Sequence, residues 1–292
     1  MRVVSLLPAA TEMVVALGGA DDLVGVSHEC DYPPAVARLP RLTASPIDSS
    51  APSASIDAEV RRLRAAGRPV IALEAEALAR LAPDLLITQG LCEVCAVADG
   101  AIHRLASVMR PAPAVLSLTA TTLEGIWNDI RAVGRALHRV PHAEALVAGL
   151  RDRLAHLRAG APSVPPRVAC VEWLDPPYLA GHWVPDMVAA AGGVDVGATA
   201  GGHSTVTPWT AVLELRPELI VVMLCGFDVS RSCRELAALA DPEAARVLAL
   251  APVWVLDGNA FTSRPGPRVV DGAERLQAAM HGRTLSGLAR WS

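Results

Sequence analysis

The 292-residue chain contains no lysine and only six Trp, two Tyr and two Phe, and its 26 basic residues are all arginine. A formal net charge of −4 with no run of arginine argues against nucleic acid or an anionic membrane surface as a partner. The arginine-only usage reads as genome composition. Six cysteines are too few for a disulfide scaffold in a chain of this length, and free thiols are expected. No stretch reaches the roughly 18 to 20 uninterrupted apolar residues of a membrane span. GxSxG, P-loop and GxGxxG patterns are all missing, so a non-catalytic protein is expected. The apolar start, MRVVSLLPAATEMVVALGGADDLVGV, carries one Arg and is broken by Pro8, Thr11 and Glu12, with Asp21 and Asp22 where a cleavage region belongs. It predicts a cytoplasmic protein, or a periplasmic or extracellular one if the true start lies upstream. Separately, a monomer is expected.

What is present is an apolar composition of 52% with only 19% charged residues, which indicates a compact α/β protein large enough for two cores. Short apolar runs at residues 3–7, 23–26, 70–73, 85–88 and 115–118 alternate with helical patterns, so a mainly parallel sheet is expected. Residues 123–158 then carry Ile126, Ile130, Val133, Leu137, Leu146, Leu150, Leu154 and Leu157 mostly at three- or four-residue steps. This predicts a long helix that Pro141 bends without ending it. After a Pro-rich break at 163–166 the alternation resumes through 168–171, 187–191, 219–223 and 253–256 to a helix at 269–280. The expected domains are residues 1–118, a connecting helix within 119–162, and residues 163–292.

Six ordered blocks carry a resemblance over nearly the whole chain: SLLPAATEMVVALGG, VGVSHECDYPPAV, LARLAPDLLIT, EWLDPPYLAGHWVPDMVAAAGG, PWTAVLELRPELIVV and DGNAFTSRPGPRVVDGAERL. They resemble the helical-backbone periplasmic binding proteins of the cobalamin and iron-chelate type. The resemblance implies an α/β fold of two Rossmann-like lobes joined by a single long helix, with a small ligand held in the cleft between lobes. Cobalamin or a related corrinoid is the implied ligand. A metal or metal chelate (Zn, Fe or Co) is the alternative. Exported members dock on an ABC permease through one exposed carboxylate per lobe. Glu76 matches the first, whereas the second lobe has Thr210, with Glu214 about a turn further on. Where the family pattern reads SSYSDYPP, this chain has His28, Glu29 and Cys30.

Candidate ligand positions follow the strands, where parallel sheets bind ligands. Pro8 and Ala9, with Thr11 as a cap, form either a backbone wall or a plain turn. The loop holding His28, Glu29, Cys30 and Tyr32 is rich in metal-binding and polar side chains. Gln89 is followed by Cys92 and Cys95, a lone CxxC that is weak by itself. With Cys225 placed after a second-lobe strand, His28, Cys30, Cys92, Cys95 and Cys225 make a thiolate and imidazole set suited to a soft metal or to cobalt. The competing reading is that the cysteines are small buried hydrophobes. Glu172, Trp173, His182 and Trp183 form an aromatic cluster able to stack on a macrocycle, with Trp173 also suited to the core and His182–Trp183 expected in the cleft. Trp209 either covers the ligand or fills the core. Phe227, Asn259, Phe261 and Arg264 complete the expected set. His103, His138, His142, His156 and His281 are assigned to solvated helix faces without partners, and Cys170 to the core.

Overall fold

The structure, a computed structural model, describes residues 1–90, 97 and 99–291. It divides into two compact units, the first made of Met1–Ala51, Ala58–Ala120 and Glu124–Ala148, the second of Pro52–Asp57, Thr121–Leu123 and Gly149–Ser292. From the start to the middle of the chain the elements are β1 (Val3–Ser5), α1 (Pro8–Ala16), β2 (Leu23–Val26), β3 (Thr43–Ala44), α2 (Ser53–Ala65), β4 (Ala72–Leu73), α3 (Ala75–Leu81), β5 (Leu85–Gln89), α4 (Asp99–Val108), β6 (Ala114–Leu118), α5 (Leu123–Ala136) and α6 (Val140–Ala159).

The first unit's main sheet has the order β2-β1-β5-β6 and is parallel throughout. Its central strands are apolar without alternation because both faces are covered: Val3, Val4, Leu86 and Ile87 are fully buried. Val4, Leu6 and Leu86 share a core with Leu42, Leu63, Leu78 and Ile102. Pro8 starts α1 with a ring already fixed at helical φ, and Gly18 at φ +78 lets the chain leave it. Thr11 does not cap this helix. Leu7 occupies the cap position, and the Thr11 hydroxyl lies inside, 2.8 Å from Ser5 Oγ and 3.1 Å from Cys30 Sγ.

The stretch expected as one helix over residues 123–158 is two, α5 and α6. His138 turns into the left-handed region at φ +57, and the Arg139 N–H donates to Gly134 O at 2.7 Å, which closes α5. Pro141 falls in the first turn of α6, where a missing N–H costs nothing, so it helps to start a helix instead of bending one. The two helices pack tightly at Gly134: a Cβ there would lie 2.4 Å from that of Ala143.

The later elements are β7 (Arg167–Leu174), β8 (Pro177–Leu179), α7 (Val184–Ala191), β9 (Val194–Asp195), β10 (Thr205–Val206), α8 (Trp209–Glu214), β11 (Leu219–Val222), α9 (Val229–Ala238), α10 (Pro242–Leu248), β12 (Val253–Leu256), α11 (Gly258–Phe261), α12 (Val269–Met280) and β13 (Leu288–Trp291). The second unit's sheet runs β10-β8-β7-β11-β12-β13, with β9 also on β7. Only β7, β9, β11 and β12 pair in parallel; β8, β10 and β13 are antiparallel, so this sheet is mixed where a mainly parallel one was expected. Its core joins Ala169, Val171, Trp209, Ile220, Val222 and Val255, with Ile56 of α2 packed against it. The last turns of α6 are fixed to α12 in three places. Arg153 bonds Asp271 and Glu274, Gln277 Nε2 donates to Leu157 O at 2.6 Å, and His281 Nε2 meets Gly160 O at 3.1 Å.

Candidate functional site

Because β1, β2, β5 and β6 are parallel, the segments that follow them lie along one edge of the first unit's sheet. Pro8 and Ala9 sit there with buried side chains, so any wall they form is backbone. Ser27 and His28 follow β2, and Gln89 ends β5 half-buried. His28 Nδ1 is 2.7 Å from Thr43 Oγ1, which also receives the His28 backbone N–H at 2.9 Å. His28 Nε2 lies 3.9 Å from a carboxylate oxygen of the exposed Glu29, and Tyr32 is 45% exposed. Cys30 is 1% exposed with its thiol on Thr11. It behaves as the buried small hydrophobe of the competing reading and not as a ligand aimed at solvent. The loop after β6 is held by Asp129, which accepts the Ala120 N–H at 3.0 Å; burial pushes this carboxyl up to about 6 against the backbone N–H bonds that lower it.

In the second unit β7, β11 and β12 end together on one edge. Glu172 and Trp173 close β7 half-buried, and the Cys225 N–H donates to Glu172 O at 3.0 Å, leaving Cys225 exposed. Trp173 packs on Phe227 at 5.4 Å between ring centroids, and the Arg231 guanidinium lies 3.5 Å over the Phe227 ring. Phe227 is therefore 4% exposed and supports Trp173 instead of offering a face of its own. The indole Nε1 of Trp173 is sealed without a hydrogen-bond partner. Asp257 caps α11 through the Ala260 N–H, and burial raises its carboxyl, with the charge of Asp228 adding to the effect. Beyond it Asn259 is half-buried, and its Oδ1 accepts from Arg264 Nη2 at 2.7 Å. Arg264 itself is 7% exposed. Phe261 is half-buried under Arg275, 3.8 Å from its centroid.

One expectation fails here, and one open choice falls to the core. Trp183 is buried, and its Nε1 donates to Thr262 O at 2.9 Å. Trp209 is buried in the core cluster. β8 folds back antiparallel along β7, which withdraws the following Gly181, His182 and Trp183 from the hairpin tip. His182 stays half-buried at φ +53, edge-on to His203 at 5.4 Å, and burial together with the charge of His203 lowers its pKa. His203, in the run GGHS, was not among the sequence candidates; its one signal was a second histidine next to glycines.

The five-residue metal set is not assembled among the described residues, where no group of three or more His, Cys, Asp or Glu able to hold a metal occurs. Cys92 and Cys95 lie outside the described residues. Of the histidines expected to lack partners, His103 lies 3.6 Å from Asp99, His156 bonds Asp152 O at 2.7 Å, and His281 bonds Gly160 O. His138 falls in the break between helices. Cys170 is buried as expected. Glu76 on α3 is 95% exposed, 3.8 Å from Arg80. No helix among the described residues is long and apolar enough to cross a membrane.

The vitamin B12-binding protein of Vibrio cholerae is 24% identical over 282 residues, covering 94% of this chain and 87% of that protein. The cobalamin-binding protein of Halobacterium salinarum is 26% identical over 298 residues, covering 97% and 70%. Among solved structures, a periplasmic heme binding protein from Pseudomonas aeruginosa aligns over 100% of this chain and 98% of its own, with a TM-score of 0.74 at 24% identity. The periplasmic vitamin B12 binding protein of Vibrio cholerae aligns over 96% of both chains with a TM-score of 0.65 at 22% identity. These likenesses carry the α/β fold of the helical-backbone class. The expectation of a cytoplasmic protein is overturned by the match to a family described as periplasmic binding protein. The family described as periplasmic binding protein matches residues 3–252, six-sevenths of the chain, and the chain belongs to it.

Proposed function

We propose that this chain is a non-catalytic binding protein for a cobalt corrinoid, cobalamin foremost. The observation that carries the reading is the pair of relatives named for vitamin B12 and cobalamin, each aligned over more than nine-tenths of the chain. Its residues support it: Trp173, half-buried at the carboxyl edge of the second unit's sheet and backed by Phe227, offers a flat apolar surface to a macrocycle. Glu172, Cys225, Asn259 and Phe261 on the same edge supply polar and aromatic groups for the periphery. The first unit's own edge gathers His28, Glu29, Tyr32 and Gln89.

Haem is the second reading, favoured by the heme-binding proteins among the solved neighbours. Direct metal binding by clustered thiols draws no support from the described residues, because Cys30 is turned inward. Delivery to an ABC permease through Glu76 accords with its full exposure. The test is titration of the full chain with cyanocobalamin and, separately, with hemin, followed by calorimetry. Saturation near one equivalent by cyanocobalamin alone is the expected result. Saturation by hemin alone replaces the corrinoid with haem, and uptake of neither refutes tetrapyrrole binding.

A further inference from the structure

We propose that His28 is the axial ligand to the metal of the bound tetrapyrrole, through Nε2, and that Thr43 is the positioning residue that prepares it. The inference rests on the binding function above and adds to it a bond and a donor atom. A hydroxyl has one proton and two lone pairs. Thr43 Oγ1 gives its proton to Ser27 Oγ at 3.1 Å and accepts the His28 backbone N–H at 2.9 Å. The remaining contact, His28 Nδ1 at 2.7 Å, must then have the imidazole as donor. The ring is held as the Nδ1–H tautomer, so its lone pair is on Nε2. A metal-binding histidine needs this arrangement: the far nitrogen anchored to an acceptor and the near one left basic.

The surroundings hold the ring in place. Thr43 is 3% exposed, and Arg41 Nη1 donates to both Ser27 O and Cys30 O, fixing the loop on either side of His28. The His28 side chain is 27% exposed, with Nε2 toward the more exposed Glu29. The neighbouring Cys30 thiol is occupied by Thr11, which removes it from competition. Imidazole suits both cobalt and iron. On aquocobalamin the Nε2 lone pair forms a Co–N bond as the Co–OH2 bond breaks. Water leaves, cobalt remains Co(III), and neither proton nor electron is transferred. Cyanocobalamin, whose position is held by cyanide, cannot react in this way.

The test compares aquocobalamin and cyanocobalamin titrated into the full chain, read by visible absorption. The expected result is a shift to a nitrogen-ligated spectrum with aquocobalamin only, and tighter binding of that form. His28→Ala should still bind aquocobalamin, unshifted and with affinity reduced to that for cyanocobalamin. Thr43→Val should keep the shift but weaken aquocobalamin binding about 10-fold, the lower end of such outer-shell effects, and Thr43→Ser should restore it. Binding of aquocobalamin without a shift, a shift that survives His28→Ala, or a shift abolished by Tyr32→Phe overturns the inference while leaving the binding function intact. A wild-type chain that binds neither cobalamin overturns the corrinoid reading itself.

Discussion

Asp195 should make the protein less stable as it ionises. Its Oδ1 accepts the Gly197 and Ala198 N–H groups at 2.8 and 3.0 Å, while Oδ2 is sealed from solvent without an N–H or O–H donor, beside the buried Cys170 thiol. Burial outweighs the two backbone N–H bonds and the Cys170 thiol bond, and pushes this carboxyl from 3.8 to about 6. The folded chain then holds the proton more tightly than the unfolded one. Stability from this group is complete below pH 3.8, is lost as pH rises to about 6, and is flat above that. Two units at 1.36 kcal/mol each set a ceiling of about 3 kcal/mol. Asp195→Asn keeps the oxygen that accepts the two N–H groups, replaces only the sealed one beside Cys170, and does not titrate. Urea unfolding of both proteins from pH 4 to 7.5 should show the wild type losing up to about 3 kcal/mol relative to Asp195→Asn. Parallel curves for the two proteins would refute the reasoning.

Other outcomes follow from the same geometry. Gly258→Ala should cost more than about 3 kcal/mol in urea melts, because the new Cβ would sit 2.1 Å from Leu224 O, a backbone atom with no room to yield. Arg153→Ala should lower stability by about 1 kcal/mol, less in high salt, since it frees Asp271 and Glu274 in a half-exposed ion cluster. Trp173→Ala should weaken corrinoid binding about 30-fold by calorimetry, the scale of a large aromatic anchor. Glu76→Gln should leave that affinity unchanged and reduce uptake in a cell that depends on this chain, because the side chain is on the surface of α3.

The strands of the first unit were legible because a sheet covered on both faces writes itself as apolar runs, as at Val3, Val4, Leu86 and Ile87. The break between α5 and α6 was not, since it depends on His138 taking a left-handed conformation that a sequence pattern assigns to glycine or asparagine. Of the site, the strand-following loops with His28, Glu172, Cys225 and Asn259 could be read from order alone. Burial of Trp183 could not. The partner of Trp183 is a carbonyl 79 residues away, and a tryptophan next to histidine and glycine reads as a cleft residue. Thr43, the residue that sets the His28 ring, is 15 positions from it and carried no local signal.

The interleaving of the two units has a consequence for how the protein can be divided. Residues Pro52–Asp57 and Thr121–Leu123 belong to the second unit although the chain on both sides of each belongs to the first. A fragment cut at Gly149 would therefore lack Ile56 from its core, the Ser53 N–H that Glu235 accepts at 3.0 Å, and the Leu123 N–H that Asp186 accepts at 3.0 Å. No single scission yields two complete halves. An exchange of one half for that of a relative would have to carry these two short stitches along with it to keep the second unit's contacts whole.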